Sequence, residues 1–392
     1  MTDAVRSLYV HVPFCERKCE YCDFTSVAGL AGADEYLDAL RTEIRLLGER
    51  LPGIELDTVF VGGGTPSLVD PEQLSAVLHD VSRSFTIHRD AEITMEANPS
   101  SVTEQRAVTW RRAGFNRISL GVQSLEQDVL RFLGRVHDAV RAVDAVAEVR
   151  AAGFTSINCD LIYAVPGLGD VRWRRTLQRV IDLEPTHVSC YELTVEPGTP
   201  LHVAVARGHV TQVDPGRALR QHRIAVDTLG GAGYRQYEVS NFARQGAESR
   251  HNLVYWRNAF YIAAGVGAHG HLPADRARAL GLDGGSAAAV RYWHGRGIRG
   301  YVARLREGRL PIDGSESIDR ATSEQERLML GLRLREGVTV QHDIGQRWSA
   351  TADRLVTEGL LEVDGDRARV TPRGEQVLNQ VTLQLTAAAD AA

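Results

Sequence analysis

Lysine is all but missing from this chain of 392 residues: Lys18 is the only one among 45 basic side chains, the rest being arginine. We read that bias as genomic base composition, not function. Long apolar runs are missing too. The richest, Ala259–Ala268, spans ten residues, well short of the roughly 18 that a membrane span requires. The amino terminus carries Asp3 and no apolar stretch behind basic residues, so no signal peptide is expected and a cytoplasmic location is. There is no cationic excess either, since 45 basic and 50 acidic residues leave a net charge of −5. No overall positive field therefore draws nucleic acid or acidic lipid. Five cysteines are odd in number, which argues against a disulfide framework. What remains is ordinary globular material, 43% hydrophobic and 24% charged with 37 Gly and 13 Pro. That composition excludes a disordered or collagenous chain, and the length suggests two or three domains.

Strand and helix alternate over the first 240 residues. Apolar runs of strand length stand at Leu8–Val12, Thr58–Val61, Ile93–Glu96, Arg117–Val122, Ile157–Tyr163 and His187–Leu193, with a seventh candidate at Arg235–Val239. Between them lie helical periods, as in Asp34–Leu47, where Leu37, Leu40, Ile44 and Leu47 share a face. Asp70-Pro71 reads as a cap followed by proline at the first helical position. Thr103 caps a third helix; Asp138–Ala152, Asp170–Leu183 and Asp214–Leu229 continue the series. Six such units in a row predict a parallel sheet with helices outside. Polar residues gather where the strands end: Gly62-Gly63-Gly64-Thr65, Glu96, Gln123, Asp160 and Glu192. In a (β/α) barrel those ends build the active site.

The pattern changes near residue 241. His251–His271 is aromatic and rich in glycine, and Gly281–Ser286 reads as a loop. Farther on, Ser323 is expected to cap a helix running to Leu334, and Ala350–Glu358 forms another. Leu360–Val370, folded about Asp364-Gly365-Asp366, carries a hairpin signal. Helix, helix and hairpin outline a winged-helix-like unit. Residues 313–392 hold nine basic and 14 acidic side chains, which counts against DNA binding. The division we expect is therefore 1–240, a (β/α)6 barrel; 241–312, a connecting segment; 313–385, a small α+β domain; and 386–392, a disordered tail.

Chemistry concentrates in Cys15-x3-Cys19-x2-Cys22, just after the first strand. Three thiolates on one short loop can hold three corners of a [4Fe–4S] cube and leave its fourth iron open. Structural zinc takes four ligands, usually in two separated pairs, and no second cysteine pair exists here. Cys159 and Cys190 sit alone in apolar strands and read as inert core. A Ser–His–Asp hydrolase is excluded by the absence of a G-x-S-x-G elbow.

The cysteine spacing after strand one resembles the radical S-adenosylmethionine superfamily. Leu8-Tyr9-Val10-His11-Val12-Pro13-Phe14-Cys15, Gly62-Gly63-Gly64-Thr65-Pro66-Ser67, Gly121-Val122-Gln123-Ser124 and Asp160-Leu161-Ile162-Tyr163 resemble the oxygen-independent coproporphyrinogen III oxidase and its relatives. The resemblance implies an incomplete parallel (β/α)6 barrel binding a [4Fe–4S] cluster through Cys15, Cys19 and Cys22, with S-adenosylmethionine on the open iron. It further implies that Tyr9 and Tyr21 flank that cofactor, that Gly63, Gly64 and Thr65 meet its methionine end, and that Glu96, Gln123, Arg135 and Asp160 hold its methionine or ribose groups.

Two departures set the chain apart from the oxidase. The oxidase pattern carries a further cysteine two residues beyond the cluster, where Phe24 stands here, and it places several dozen residues before the cysteine loop. Both departures resemble the HemW-type subgroup of haem chaperones, as does His251-Asn252-x2-Tyr255-Trp256. That resemblance implies haem as ligand and a haem-acceptor protein as partner (a membrane protein included), while the charge implies no nucleic acid. The related oxidases share a similar motif, and His251 reads either as iron ligand, with His269 and His271 as substitutes, or as a buried histidine tying the barrel to the second domain. The oxidase, an oxidative decarboxylase of coproporphyrinogen III, is the alternative.

Overall fold

The structure, a computed structural model, describes residues 4–339 and 342–390. Six parallel strands follow one another across the main sheet: β1 (Ser7–Val12), β2 (Glu55–Gly63), β3 (Thr86–Ala97), β4 (Arg117–Gln123), β5 (Ser156–Tyr163) and β6 (His187–Glu192). Helices α1 (Ala33–Arg50), α2 (Pro71–Ser84), α3 (Glu104–Ala113), α4 (Ala139–Ala151), α5 (Asp170–Asp182) and α6 (Pro215–Gly231) occupy the crossovers or follow the last strand. The local signals explain these starts. Asp70, Thr103 and Asp138 each accept a backbone N–H at the head of their helices, which satisfies donors the helix itself leaves orphaned. Along α1 the predicted stripe Leu37, Leu40, Ile44 and Leu47 is buried, each such side chain contributing about 1.5–3 kcal/mol.

The sheet is wider than six strands and does not close. The seventh candidate strand shortens to β7 (Arg235–Gln236), which pairs antiparallel with β8 (Asn241–Ala243), itself antiparallel to β6. At the opposite edge β9 (Ile262–Ala264) lies parallel to β1. The expected boundary at residue 240 therefore does not part the sheet, because both of its edges draw on the connecting segment. Helix α7 (Arg250–Trp256) stands between β8 and β9. A second, three-stranded sheet follows, made of β10 (His269–Pro273), β11 (Ala289–His294) and β12 (Ile312–Ile318), with α8 (Ile298–Arg306) in the last connection. A fully buried carboxylate ties this unit to the barrel. Glu43 of α1 accepts from the Tyr301 hydroxyl and the Gly265 N–H, and His294 Nε2 lies 3.3 Å away.

The small domain has its own core, built around Leu328, Leu332, Leu355, Leu361, Val381 and Leu385. It runs α9 (Arg320–Gly331), β13 (Val338–Thr339), α10 (His342–Thr357), the hairpin β14 (Leu361–Asp364) and β15 (Arg367–Val370), then α11 (Leu378–Asp390). The strand between the two helices and the terminal hairpin form one antiparallel sheet, the winged-helix outline. Asp319, not Ser323, caps α9, accepting from Thr322 N at 2.7 Å. Residues 386–390, expected in a disordered tail, continue α11; 391–392 lie outside the described residues.

Candidate functional site

The loop after β1 is held from several sides. Val27 N donates to Pro13 O and Gly29 N to Cys15 O, both at 2.8 Å. From beneath, His11 Nε2 donates to Thr25 O at 2.7 Å, which leaves Nδ1 to accept from the Tyr9 hydroxyl at 2.9 Å. The glycine run after β2 presses on the same loop. A methyl group on Gly64 would stand 2.7 Å from the Pro13 carbonyl carbon, and one on Gly63, whose φ is +111°, would stand 2.3 Å from the His11 ring. Glycine is required there for close approach.

One cavity of about 520 Å³ opens above this loop at the carboxyl ends of the strands. Its lining includes Cys15, Cys19, Cys22, Tyr21, Gly63, Gly64, Thr65, Glu96, Gln123, Arg135, Asp160 and His251. Of the expected site residues only Tyr9 stands back. Its ring packs behind Phe60, which does line the cavity, with centroids 6.2 Å apart. His269 and His271 lie outside it.

Donors point at the thiols. Thr65 Oγ1 donates toward Cys15 Sγ at 3.6 Å and Arg135 Nη1 toward Cys19 Sγ at 3.4 Å. Arg135 is fixed by two further bonds, to Asn98 Oδ1 at 2.7 Å and Gly121 O at 3.1 Å. Burial raises the Cys15 and Cys22 thiols; hydrogen bonding from Thr65 to the first, and from the Phe24 backbone to the second with help from the Lys18 charge, pulls them back. Among the described residues no three His, Cys, Asp or Glu groups gather as ligands of a single metal ion. The donor set fits a cluster better, since the cysteines of a cube bind different irons and stand farther apart, and N–H or O–H donors to the sulfurs stabilise their negative charge. By contrast Cys159 and Cys190 are fully buried, and burial drives both thiols up, as expected of inert core.

The carboxylates sit deeper. Glu96 ends β3, accepts from Gly63 N at 2.9 Å, and is pushed up to about 7 by burial, the Asp160 charge adding to the effect. Asp160 accepts from Ser119 Oγ at 2.9 Å and Asn158 Nδ2 at 2.8 Å, and burial raises its pKa as well. The register explains this polar layer. Glu96, Ser119, Asn158 and His187 are direct neighbours across β3, β4, β5 and β6. Sequence reasoning missed Ser119, Asn158 and His187. The available signal was a polar residue inside each of three apolar strands.

The Gly63, Gly64 and Thr65 N–H groups donate to Glu96 Oε2, Val12 O and Phe14 O, and the last two bonds pin the start of the cysteine loop. One expectation changes. His251, read from the sequence either as iron ligand or as a buried tie, with the ligand role preferred, is 1% exposed. Its Nδ1 lies 2.8 Å from Thr58 Oγ1 and its Nε2 3.0 Å from the Tyr255 hydroxyl, with the ring stacked on Phe60. Burial lowers its pKa to about 3. With both nitrogens engaged, this histidine ties α7 to β2. Asn252 and Tyr255 line the cavity beside it, whereas the motif's last residue, Trp256, lies under the Arg333 guanidinium of the small domain, and the next residue, Arg257, pairs with Glu336.

Comparisons with known proteins agree with this geometry. Residues 9–180 match the radical SAM superfamily and residues 319–377 the HemN C-terminal domain. A haem chaperone HemW of Mycobacterium tuberculosis is 37% identical over 382 residues, 96% of this chain and 94% of that one. HemW of Bacillus subtilis is 30% identical, covering 96% and 98%. Among solved structures, coproporphyrinogen III oxidase (HemN) from Escherichia coli, a radical SAM enzyme, superposes with a TM-score of 0.81 at 22% identity, covering 98% of this chain and 91% of that one, which shows the shared fold. No helix among the described residues is long and apolar enough to cross a membrane. With the cysteine loop, the glycine run and the carboxylates meeting in one cavity and the relatives matching end to end, this chain belongs to the radical S-adenosylmethionine superfamily and, within its coproporphyrinogen oxidase-like family, to the HemW group.

Proposed function

We propose that the protein is a haem chaperone: it binds haem and hands it to an acceptor protein, and it carries a [4Fe–4S] cluster and S-adenosylmethionine in the cavity. The observation that carries the reading is the near-complete match to relatives named haem chaperones, joined to Phe24. That residue stands at the cavity mouth, 63% exposed, where the oxidase pattern has a thiol, and a benzyl group can replace neither the redox nor the nucleophilic chemistry of sulfur.

In this reading Cys15, Cys19 and Cys22 ligate the cluster, and Arg135 and Thr65 stabilise its sulfurs. Tyr21, Gln123, Glu96 and Asp160 take the polar groups of the cofactor, and Gly63, Gly64 and Thr65 hold the loop that carries the cysteines. When bound, the cluster supplies a one-electron reductant to S-adenosylmethionine. The chain's own part is to orient the cofactor between two part-buried carboxyls.

The test runs two assays on one anaerobically reconstituted preparation with about four iron and four sulfide per chain. Haemin should give a bound Soret band, and coproporphyrinogen III should not be decarboxylated under reducing conditions with S-adenosylmethionine. Cys19→Ala should lose the iron and sulfide. Robust decarboxylation by the unmodified protein would make it the oxidase and overturn the chaperone reading.

A further inference from the structure

We infer that the haem iron is ligated by His269, on the outer face of the β10–β12 sheet, with Trp293 beside it and Arg296 taking a propionate. The inference rests on the haem-binding reading above and names the site that reading leaves open.

Three histidines compete, and their surroundings separate them. His251 has both ring nitrogens engaged. His271 keeps Nε2 without a partner but is 4% exposed, packed against Phe260 and Tyr261. A porphyrin spans far more than a side chain and cannot enter that space. His269 is exposed, and neither of its nitrogens takes a hydrogen bond among the described residues. Part-burial and the nearby Arg296 charge lower its pKa, so at neutral pH the ring is an unprotonated base with a lone pair to give.

The sheet builds a platform around it. His269, Trp293 and Gly314 are direct neighbours across the three strands, so they share one face. A methyl group on Gly314 would stand 2.3 Å from the indole; the glycine lets Trp293 lie down on the strand. Imidazole and indole stack with centroids 6.2 Å apart and planes 28° apart. A metal bound to an imidazole nitrogen lies in the plane of that ring, so the porphyrin stands across both rings and meets the indole edge-on, a favoured aromatic arrangement. The stack also fixes the direction in which the imidazole points. Arg296 is exposed and forms no hydrogen bond or ion pair among the described residues, so it is free to meet a carboxylate. An open-faced site with one protein ligand suits cargo that has to leave for another protein, whereas the deeper cavity of the cysteine loop, lined by Glu96 and Asp160, suits a resident cofactor.

Full-length, cluster-loaded protein is titrated with haemin while the Soret band is followed. His269→Gly should weaken binding about tenfold or more and shift the band, and added imidazole should restore the parental position, which a merely structural role would not produce. Arg296→Glu should weaken haemin but leave haemin dimethyl ester, which lacks free propionates, unaffected. His209→Ala, an exposed histidine elsewhere, serves as the control and should change nothing. An unaltered Soret position and affinity in His269→Gly overturns the inference while the chaperone reading stands. Absence of any haem binding by the parent protein overturns both.

Discussion

At Glu96 two influences oppose each other: burial and the Asp160 charge hold its proton on, while the Gly63 N–H favours the carboxylate. Burial wins and lifts the pKa from the ordinary 4.5 to about 7. The native state therefore binds this proton more tightly than the unfolded chain, and the stability it contributes is complete below the ordinary value and lost as pH rises through 7. Glu96→Gln cannot ionise. Its melting temperature should match the parent's near pH 5 and exceed it progressively towards pH 8, measured without S-adenosylmethionine; parallel curves would show that Glu96 ionises normally. Single residues were legible in the sequence where chemistry left a spacing, as in Cys15, Cys19 and Cys22, or where polarity marked a strand end, as in Glu96. They were not legible where the partner is remote. Nothing in the order of residues says that His251 will meet Thr58, 193 positions away, and without that bond an iron ligand and a buried tie cannot be told apart.

At the scale of elements, the cysteine loop is a packed object whose shape is set by the glycine run against it. Gly64 is the sharpest test. A methyl group there meets backbone at 2.7 Å, whereas at Gly169, the residue that opens α5, it meets nothing within 4 Å. Gly64→Ala should cost about 1–3 kcal/mol by overpacking and lower the iron content of reconstituted protein, while Gly169→Ala should do neither. Equal iron in both variants would mean that the loop yields freely. Elements were the most readable level. The predicted strands fall inside β1 to β6 or overrun them by one residue, because buried parallel strands must be runs of apolar side chains and caps such as Asp70 and Asp138 mark helix starts. The short strands β8 and β9 escaped, since three residues carry no periodicity, and β7 is shorter than its predicted run. Asp319 displaced Ser323 as a cap for the same reason: both are good cap residues, and only packing decides between them.

In the whole molecule the described residues form two apolar cores. The larger unites the barrel and the connecting segment; the smaller lies within the winged-helix-like domain with Leu355 fully buried at its centre. Polar contacts join them, among them Gln236 Nε2 donating to Glu375 Oε1 at 2.7 Å and Arg335 N donating to Tyr237 O at 2.9 Å. Calorimetry should resolve two transitions. Leu355→Ala should destabilise only the smaller unit, by about 2–5 kcal/mol, with iron content and the second transition unmoved; a single cooperative transition shifted as a whole would show one folding unit. Charge is distributed as unevenly as packing. Lys18 is exposed in the cysteine loop and is the chain's one lysine, so its ε-amine is the only side-chain primary amine in the molecule. An amine-reactive dye therefore labels the rim of the cofactor cavity and otherwise only the α-amino group, giving a site-specific fluorescent reporter without mutagenesis. When only the acceptor's carboxylates are activated with carbodiimide and the excess reagent is quenched before mixing, coupling can join the chain at Lys18 or the α-amino group alone, so a cross-linked tryptic peptide that contains Lys18 would place the acceptor at the mouth of the cavity.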